Sequence, residues 1–234
     1  VSLSLSQLKA MQAGYIQQEF SGRNNWPTSK QFSAEGIDLL YLLEIAGIKE
    51  SATIVTISAA DGYRGSFTIE QLRQQRYYFP NLATNFKDGA VLVKPMLAWK
   101  FQERNRGDAV EGELRSFIGQ ASLTDVNTAV SVQNAEKIEV GTAAPEQWEQ
   151  PQYDIADQDG GKAVTLYHES MDAVKVYYTL DGSDPTEDSA LYNPSTSYYQ
   201  PDLIVPIQGK AGQEVKLLVV GYGKTNSDIL AVKL

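Results

Sequence analysis

The sequence predicts an α+β mixed domain followed by an all-β sandwich, and three observations carry that prediction. Charge is unevenly placed: residues 1–145 hold 14 Lys/Arg against 15 Asp/Glu, whereas residues 146–234 hold 6 against 14, so the net charge of −9 belongs almost wholly to the second part. Every arginine lies in the first part. Helical periodicity is present before the stretch "GTAAPEQWEQPQ" (141–152) and absent after it. With a glycine, two prolines and no amphipathic period, that stretch reads as a linker. The expected units are therefore 1–145, with the linker at about 141–152, and 153–234. Trp148 inside the linker is expected to anchor packing; a sugar-binding surface aromatic is the alternative.

In the first part "SQLKAMQA" follows a serine cap at Ser4 or Ser6 and reads as a short helix. "GYIQQEF" alternates as a strand. "GIDLLYLLEIAG" is the clearest helix: Asp38 can cap its start and Gly47 sits where a left-handed stop is needed. "ATIVTISA" is a strand, "ADGYRG" a tight turn, and "SFTI" a returning strand. "TIEQLRQQ" offers Thr68 as cap and Gln71 at the capping-box position. Strands are expected near 90–94, 96–101, 114–118 and 136–140. Elements in this order are α+β rather than alternating βαβ. In the second part "KAVTLYH", "AVKVYYTL", "DLIVPI", "EVKLLVVGY" and "DILAVKL" are β-branched or aromatic runs separated by turn residues. Their spacing suits a small antiparallel sandwich of immunoglobulin or fibronectin type.

Composition excludes several chemistries. The chain has no cysteine, which removes disulfides, Fe–S clusters, thiol nucleophiles and Cys-ligated zinc. The single histidine, His168, argues against a Ser-His-Asp triad or a multi-His metal site and is expected to be packed or solvated. An acidic chain without a basic stripe is a poor partner for nucleic acid. No apolar run approaches the roughly 18 residues of a membrane helix, so no transmembrane segment is expected. The chain opens at Val1 without a basic-then-apolar leader. The expectation is an extracellular or cell-surface protein of bacterial origin whose signal peptide has been trimmed.

"VYYTLDGSDPTEDSALYN" (176–193), followed by "VPIQGKAGQEVKLLVVGYGKTNSDILAV", resembles the chitobiase/β-hexosaminidase C-terminal module, also described as fibronectin-III-associated. The resemblance covers about residues 160–234. It implies an accessory sandwich on extracellular, often glycan-related, proteins and implies no active site. The acidic loop, with Asp181, Asp184, Glu187 and Asp188, is read as turns plus solvated charge: Asp181-Gly182 supplies a positive-φ position and Asp184-Pro185 starts another turn. The weaker alternative is calcium, which needs several oxygens converging at about 2.3–2.6 Å. Tyr177, Tyr178, Tyr192, Tyr198, Tyr199 and Tyr222 are weighed as core and cross-strand packing ahead of a sugar-stacking platform.

In the first part "EGIDLLYLLEIAGI" and "TIVTISAADGYRGSFTIEQL" are similar to the molybdopterin-binding domain of the sulfite oxidase family. The likeness continues in "PMLAW", "GELRSFIGQ" and "AEKIEV", collinear over most of 1–140. The family holds molybdenum through a cysteine in a "C-x-G-N-R" stretch; here the matching stretch is "FSGRNNW", with Phe20 at the cysteine position. A phenyl ring cannot replace a thiolate. The family histidine is absent around Val110 and Glu111, and its lysine falls at Gln133. Arg115 matches the family arginine. The resemblance makes Arg23, Arg64, Arg104, Arg106 and Arg115 candidate cofactor-binding residues around a cleft near Phe20, with ordinary surface salt bridging as the competing reading of each.

The reading taken from sequence is a non-catalytic extracytoplasmic binding or scaffolding protein, built on a degenerate molybdopterin-oxidoreductase fold with an accessory β-sandwich. No catalytic residue, metal ligand or cofactor is expected. The alternatives are a molybdopterin-binding oxidoreductase of sulfite oxidase type and a carbohydrate-binding accessory protein. Expected partners are a cell-wall glycan or another protein.

Overall fold

The computed structural model describes residues 1–25, 28–194 and 200–234. The chain is mostly β-sheet, with few and short helices, and divides into two compact units; the first ends at Pro145 and the second spans Glu146–Leu234.

In the first unit a four-stranded antiparallel sheet has the order β1-β2-β7-β8, formed by β1 (Tyr15–Arg23), β2 (Ser29–Asp38), β7 (Met96–Glu103) and β8 (Arg106–Phe117). A three-stranded sheet, β4-β3-β9, joins β3 (Ile54–Ala59), β4 (Arg64–Thr68) and β9 (Ala135–Gly141). A short ribbon pairs β5 (Arg76–Tyr78) with β6 (Val91–Val93). Helix α1 (Leu5–Ala10) starts on a capping box from Ser4 to Gln7, and α3 (Ile69–Arg73) on one from Thr68 to Gln71. Helix α2 (Leu39–Ile45) is capped by the Asp38 carboxylate, which accepts from the amides of Leu40 and Tyr41.

The balance of helix and strand departs from the sequence reading at "EGIDLLYLLEIAG". Its first residues are strand, because Gly36 and Ile37 pair with Ala98 and Leu97 on β7. A Cβ at Gly36 would fall 2.3 Å from the Leu97 carbonyl oxygen, so this close crossing admits glycine alone. The helix therefore begins only at Leu39. Strand β2 escaped the sequence reading because its lysine, glutamine and serine dilute the alternation; its inward residues are Phe32, Ala34 and Gly36.

The second unit contains two facing sheets, with orders β10-β11-β14 and β13-β12-β15-β16. Their strands are β10 (Gln152–Gln158), β11 (Gly161–Tyr167), β12 (Val174–Thr179), β13 (Ala190–Leu191), β14 (Ile207–Gly209), β15 (Glu214–Gly221) and β16 (Leu230–Lys233). Val164, Leu166 and Ile207 from one sheet meet Val174, Val176, Val215, Leu217, Val219 and Val232 from the other in one core. This is the period-2 burial a sandwich requires. "DLIVPI" is not the strand expected: Pro201 opens a turn of 3₁₀ helix over Pro201–Leu203, and pairing starts only after Pro206, at Ile207.

The stretch 141–152 is shorter as a linker than its composition suggests. Gly141 closes β9 and Gln152 opens β10. Gln147 bridges Thr225, while the Trp148 amide and Thr225 carbonyl, and the Thr225 amide and Glu146 carbonyl, form bonds of 3.0 and 2.9 Å. Trp148 packs on the sandwich core beside Gly221, where an added Cβ would meet the indole at 2.8 Å.

Candidate functional site

The stretch Phe20–Arg23 was the expected mouth of a cofactor cleft, and every one of its residues is engaged within the first unit. Phe20 is 1% exposed and lies in a core of Phe32, Ala34, Met96, Ala98, Phe101 and Phe117. The ring of Phe20 stacks on Phe117 with centroids 5.2 Å apart. Alternation on β1 then turns Ser21 to the opposite face, where its hydroxyl donates to Gln120 Oε1 (2.7 Å) and accepts from the Phe79 amide (2.9 Å). Gly22 lies against Thr128, and a Cβ there would meet the threonine methyl at 2.3 Å.

The five arginines are not gathered into one site by the hydrogen bonds and ion pairs they make. Arg23 donates through Nε to the Leu123 carbonyl (2.7 Å), and through an η nitrogen to the Leu82 carbonyl (3.0 Å) and the Asn85 side chain. Burial pulls its pKa below the usual arginine value. Those bonds tie two loops to the end of β1 and use three of the five guanidinium N–H groups. Arg104 lies near Glu19 (3.6 Å) and the Tyr78 hydroxyl, and Arg106 pairs with Glu103 (3.7 Å) at the β7–β8 turn. Arg64 is exposed at the start of β4. Arg104 and Arg106 each lie within ion-pair distance of a carboxylate at the surface.

Arg115 is different. Its guanidinium lies over the rings of Phe32, Phe101 and Phe117 at 4.9–5.4 Å. Its Nε donates to Ser131 Oγ (3.0 Å), and Ser131 Oγ donates in turn to the Ser116 carbonyl (2.6 Å). Among the described residues no carboxylate reaches ion-pair distance of Arg115. Desolvation lowers its pKa, opposed by the fields of Glu103 and Tyr63. Tyr63, whose hydroxyl donates to the Ala129 carbonyl, has its pKa raised by burial, and Arg115 acts against that rise. An arginine positioned by a serine over an aromatic shelf has the chemistry to hold a planar anion.

At the other positions singled out by the resemblance, Val110 packs against the aromatic core, Glu111 pairs with Lys100 (2.6 Å), and Gln133 donates to Glu113. Sequence reasoning passed over a buried polar cluster beside β1. Arg76 donates to Asp125 Oδ2 (2.8 Å) and the Gly119 carbonyl, and the same Oδ2 accepts from the Ala121 amide. Gln120 Nε2 donates to the Asp125 carbonyl, and Asn127 to the carbonyls of Ser21 and Ile118. Nothing local marked it, since Arg76 follows the polar run Arg73, Gln74 and Gln75, and Asp125 lies among loop-forming residues.

In the second unit the acidic loop is internally bonded. Asp181 Oδ1 accepts from the Ser183 amide (3.0 Å) and hydroxyl (2.6 Å), bonds that lower its pKa; Asp184 pairs with Lys216 (2.7 Å). Among the described residues no three acidic or histidine side chains converge as a metal site. Tyr177 and Tyr192 are buried, the Tyr192 hydroxyl accepting from the Leu166 amide (2.9 Å), so neither belongs to an exposed sugar platform. Tyr198 and Tyr199 lie outside the described residues. His168 accepts through Nδ1 from the Ser170 amide (3.0 Å), and its Nε2 lies 3.1 Å from the Glu149 carbonyl. Those contacts tie the ring to its own loop and to the chain at Glu149. No helix among the described residues is long and apolar enough to cross a membrane.

No curated protein matches the chain significantly. Among solved structures, a two-fibronectin type-III domain segment from chicken tenascin matches at 7% identity and a TM-score of 0.26, over 94% of this chain and 96% of that one. That superposition is too loose to assign a fold. Residues 164–234 match the family model described as "Fn3 associated". The second unit therefore carries a C-terminal fibronectin-III-associated module.

Proposed function

We propose that the chain is a non-catalytic binding or scaffolding protein that works outside the cytoplasm, its first unit a degenerate relative of the sulfite oxidase-type molybdopterin domain and its second an accessory module. One observation carries the non-catalytic part: the residue aligned with the metal-binding cysteine, Phe20, is packed inside an aromatic core. Arg23 is held by the carbonyls of Leu123 and Leu82 and the side chain of Asn85, which fixes it as a tie between loops. With a phenyl ring where the family has its thiolate, the residues present do not fit a molybdenum pterin.

What remains suited to binding is Arg115, with Ser131 and the three phenyl rings, and its chemistry favours a small planar anion. Protein produced in a host able to make molybdopterin tests the reading. Metal and pterin analysis should give far below one equivalent of either, and sulfite and sulfoxide redox assays should give no turnover. Near-equimolar molybdenum with dye-linked oxygen transfer would overturn it.

A further inference from the structure

We propose that β9 is a self-association edge, through which two copies of this chain pair antiparallel about Ile138. Strand β9 lies at the margin of the sheet β4-β3-β9, paired on one side only. Among the described residues the backbone groups of Glu136–Val140 form no bond outside the ladder to β3. An edge of this kind is a template for another strand unless something blocks it.

Proline and a mid-strand bulge are missing from β9, and its charges, Glu136, Lys137 and Glu139, are of both signs. From Glu136 to Gly141 the strand has no proline, and its one register shift lies at the far end, beside Ala135. The outer strand β8 has two register shifts against β7, which disfavour a regular added ladder. The outer strand β10 carries Asp154 and Asp157, so two copies brought together would oppose acidic edges in an already acidic unit.

Strand β9 instead has a charge pattern complementary to itself. Pairing about Ile138 sets Lys137 opposite Glu139 of the second copy, and Glu139 opposite Lys137 of the second copy. Within one chain these two already share a face and a 2.7 Å bond. Pairing would give each charge a second opposite neighbour, in an alternating square of four. On the other face Ile138 would meet its own copy, with Val140 (42% exposed) diagonal to it and opposite Glu136 of the second copy.

That face borders an open groove of about 240 Å³, lined from β9 by Ile138 and Val140 together with Glu136 and Lys137, and from elsewhere by Leu8 and Leu42. The result would be one continuous six-stranded sheet, β4-β3-β9-β9-β3-β4. A single strand pair is a small interface, so the association should be weak.

Sedimentation velocity on the full chain, between about 5 µM and about 0.5 mM in low salt, should show a monomer–dimer equilibrium with a dissociation constant on the order of 0.1 mM. Lys137→Glu sets like charges opposite each other and should raise that constant at least about tenfold. Lys137→Glu combined with Glu139→Lys restores the pattern and should return it to within about twofold. A chain that stays monomeric throughout, or a dimer indifferent to Lys137→Glu, overturns the proposal. Should Lys137→Glu fail to fold by circular dichroism, Val140→Glu, which sets a second carboxylate opposite Glu136 of the other copy, decides in its place, with the same loss expected.

Discussion

The rings of Phe20 and Phe117 stack at a centroid separation of 5.2 Å and an interplanar angle of 22°, joining the first and last strands of the sheet β1-β2-β7-β8. Both rings touch the same aromatic core, so neither can be reduced without opening a cavity there. Phe20→Ala should lower unfolding stability by about 3–5 kcal/mol in a denaturant titration. A loss below about 1 kcal/mol would show that this contact is not part of the core.

Arg76 and Asp125 form a buried ion pair whose remaining valences are taken by main-chain groups. Removing one member leaves the other charged and desolvated. Asp125→Ala should cost about 3–5 kcal/mol, whereas replacing both residues by apolar ones of similar size should cost distinctly less. Urea melts of the single and double variants test the difference; equal losses would count against a paired role.

Lys175 gives a pH signature. Burial lowers its pKa to about 8, while the carboxylate of Asp172 acts in the opposite sense. Its Nζ lies 3.2 Å from the Asn193 carbonyl. Above pH 8 the folded chain sheds this proton while the unfolded chain keeps it until about pH 10.4. The unfolded state then binds more protons, so stability rises with pH across this window, by up to about 1.4 kcal/mol per unit. The difference between wild type and Lys175→Met, followed by chemical denaturation from pH 7 to pH 10, should show this rise. A flat difference would place the lysine in a wetter site.

Gly221 leaves room for the Trp148 indole, and a methyl at that position would sit 2.8 Å from the ring. Gly221→Ala should displace the indole, shift its fluorescence to the red, and make the neighbouring chain easier to cleave. In the unaltered protein, limited proteolysis within 141–152 should fall in 142–145 rather than 146–152, because Glu146, Gln147 and Trp148 are tied to the second unit. Cutting at 149–152 first would contradict that anchoring.

The acidic loop should ignore calcium. Asp181 is engaged by Ser183 and Asp184 by Lys216, so a cation would have to break existing bonds to gather oxygens. Adding about 1 mM calcium should move the melting temperature by less than about 1 °C. A shift of several degrees, lost in Asp181→Asn, would restore a binding role. Because hydrogen bonds from Ser183 lower the Asp181 pKa, the loop's contribution is present above the ordinary carboxylate range and fades as acid brings the pH down through the folded value.

The sequence made the second unit legible because its strands are separated by residues with strong local preferences, such as Asp181-Gly182 and the Gly221–Gly223 turn. It failed at "DLIVPI", where β-branched residues outweighed Pro201 just before the run and Pro206 within it. In the first unit the caps at Ser4, Asp38 and Thr68 were readable because capping depends on a few adjacent residues. The extent of α2 was not, because the strand character of Gly36 and Ile37 comes from β7, about 60 residues away in the chain. The same limit applied to the candidate site. Nothing local in "FSGR" reveals that Arg23 will bond carbonyls at Leu82 and Leu123, or that Arg115 will settle over three phenyl rings.

Strand β2 passes into helix α2 with no residue between them, since Asp38 is both the last strand residue and the helix cap. The same carboxylate binds Lys94, and the next amide, Leu39, donates to the Pro95 carbonyl. A joint held on both sides has no hinge. The helix that walls the groove beside β9 cannot swing aside like a lid; it can open only when the end of the β2–β7 ladder opens with it. Its amide hydrogens should therefore exchange together with those of Gly36–Asp38, at the pace of the sheet rather than of a fraying helix end.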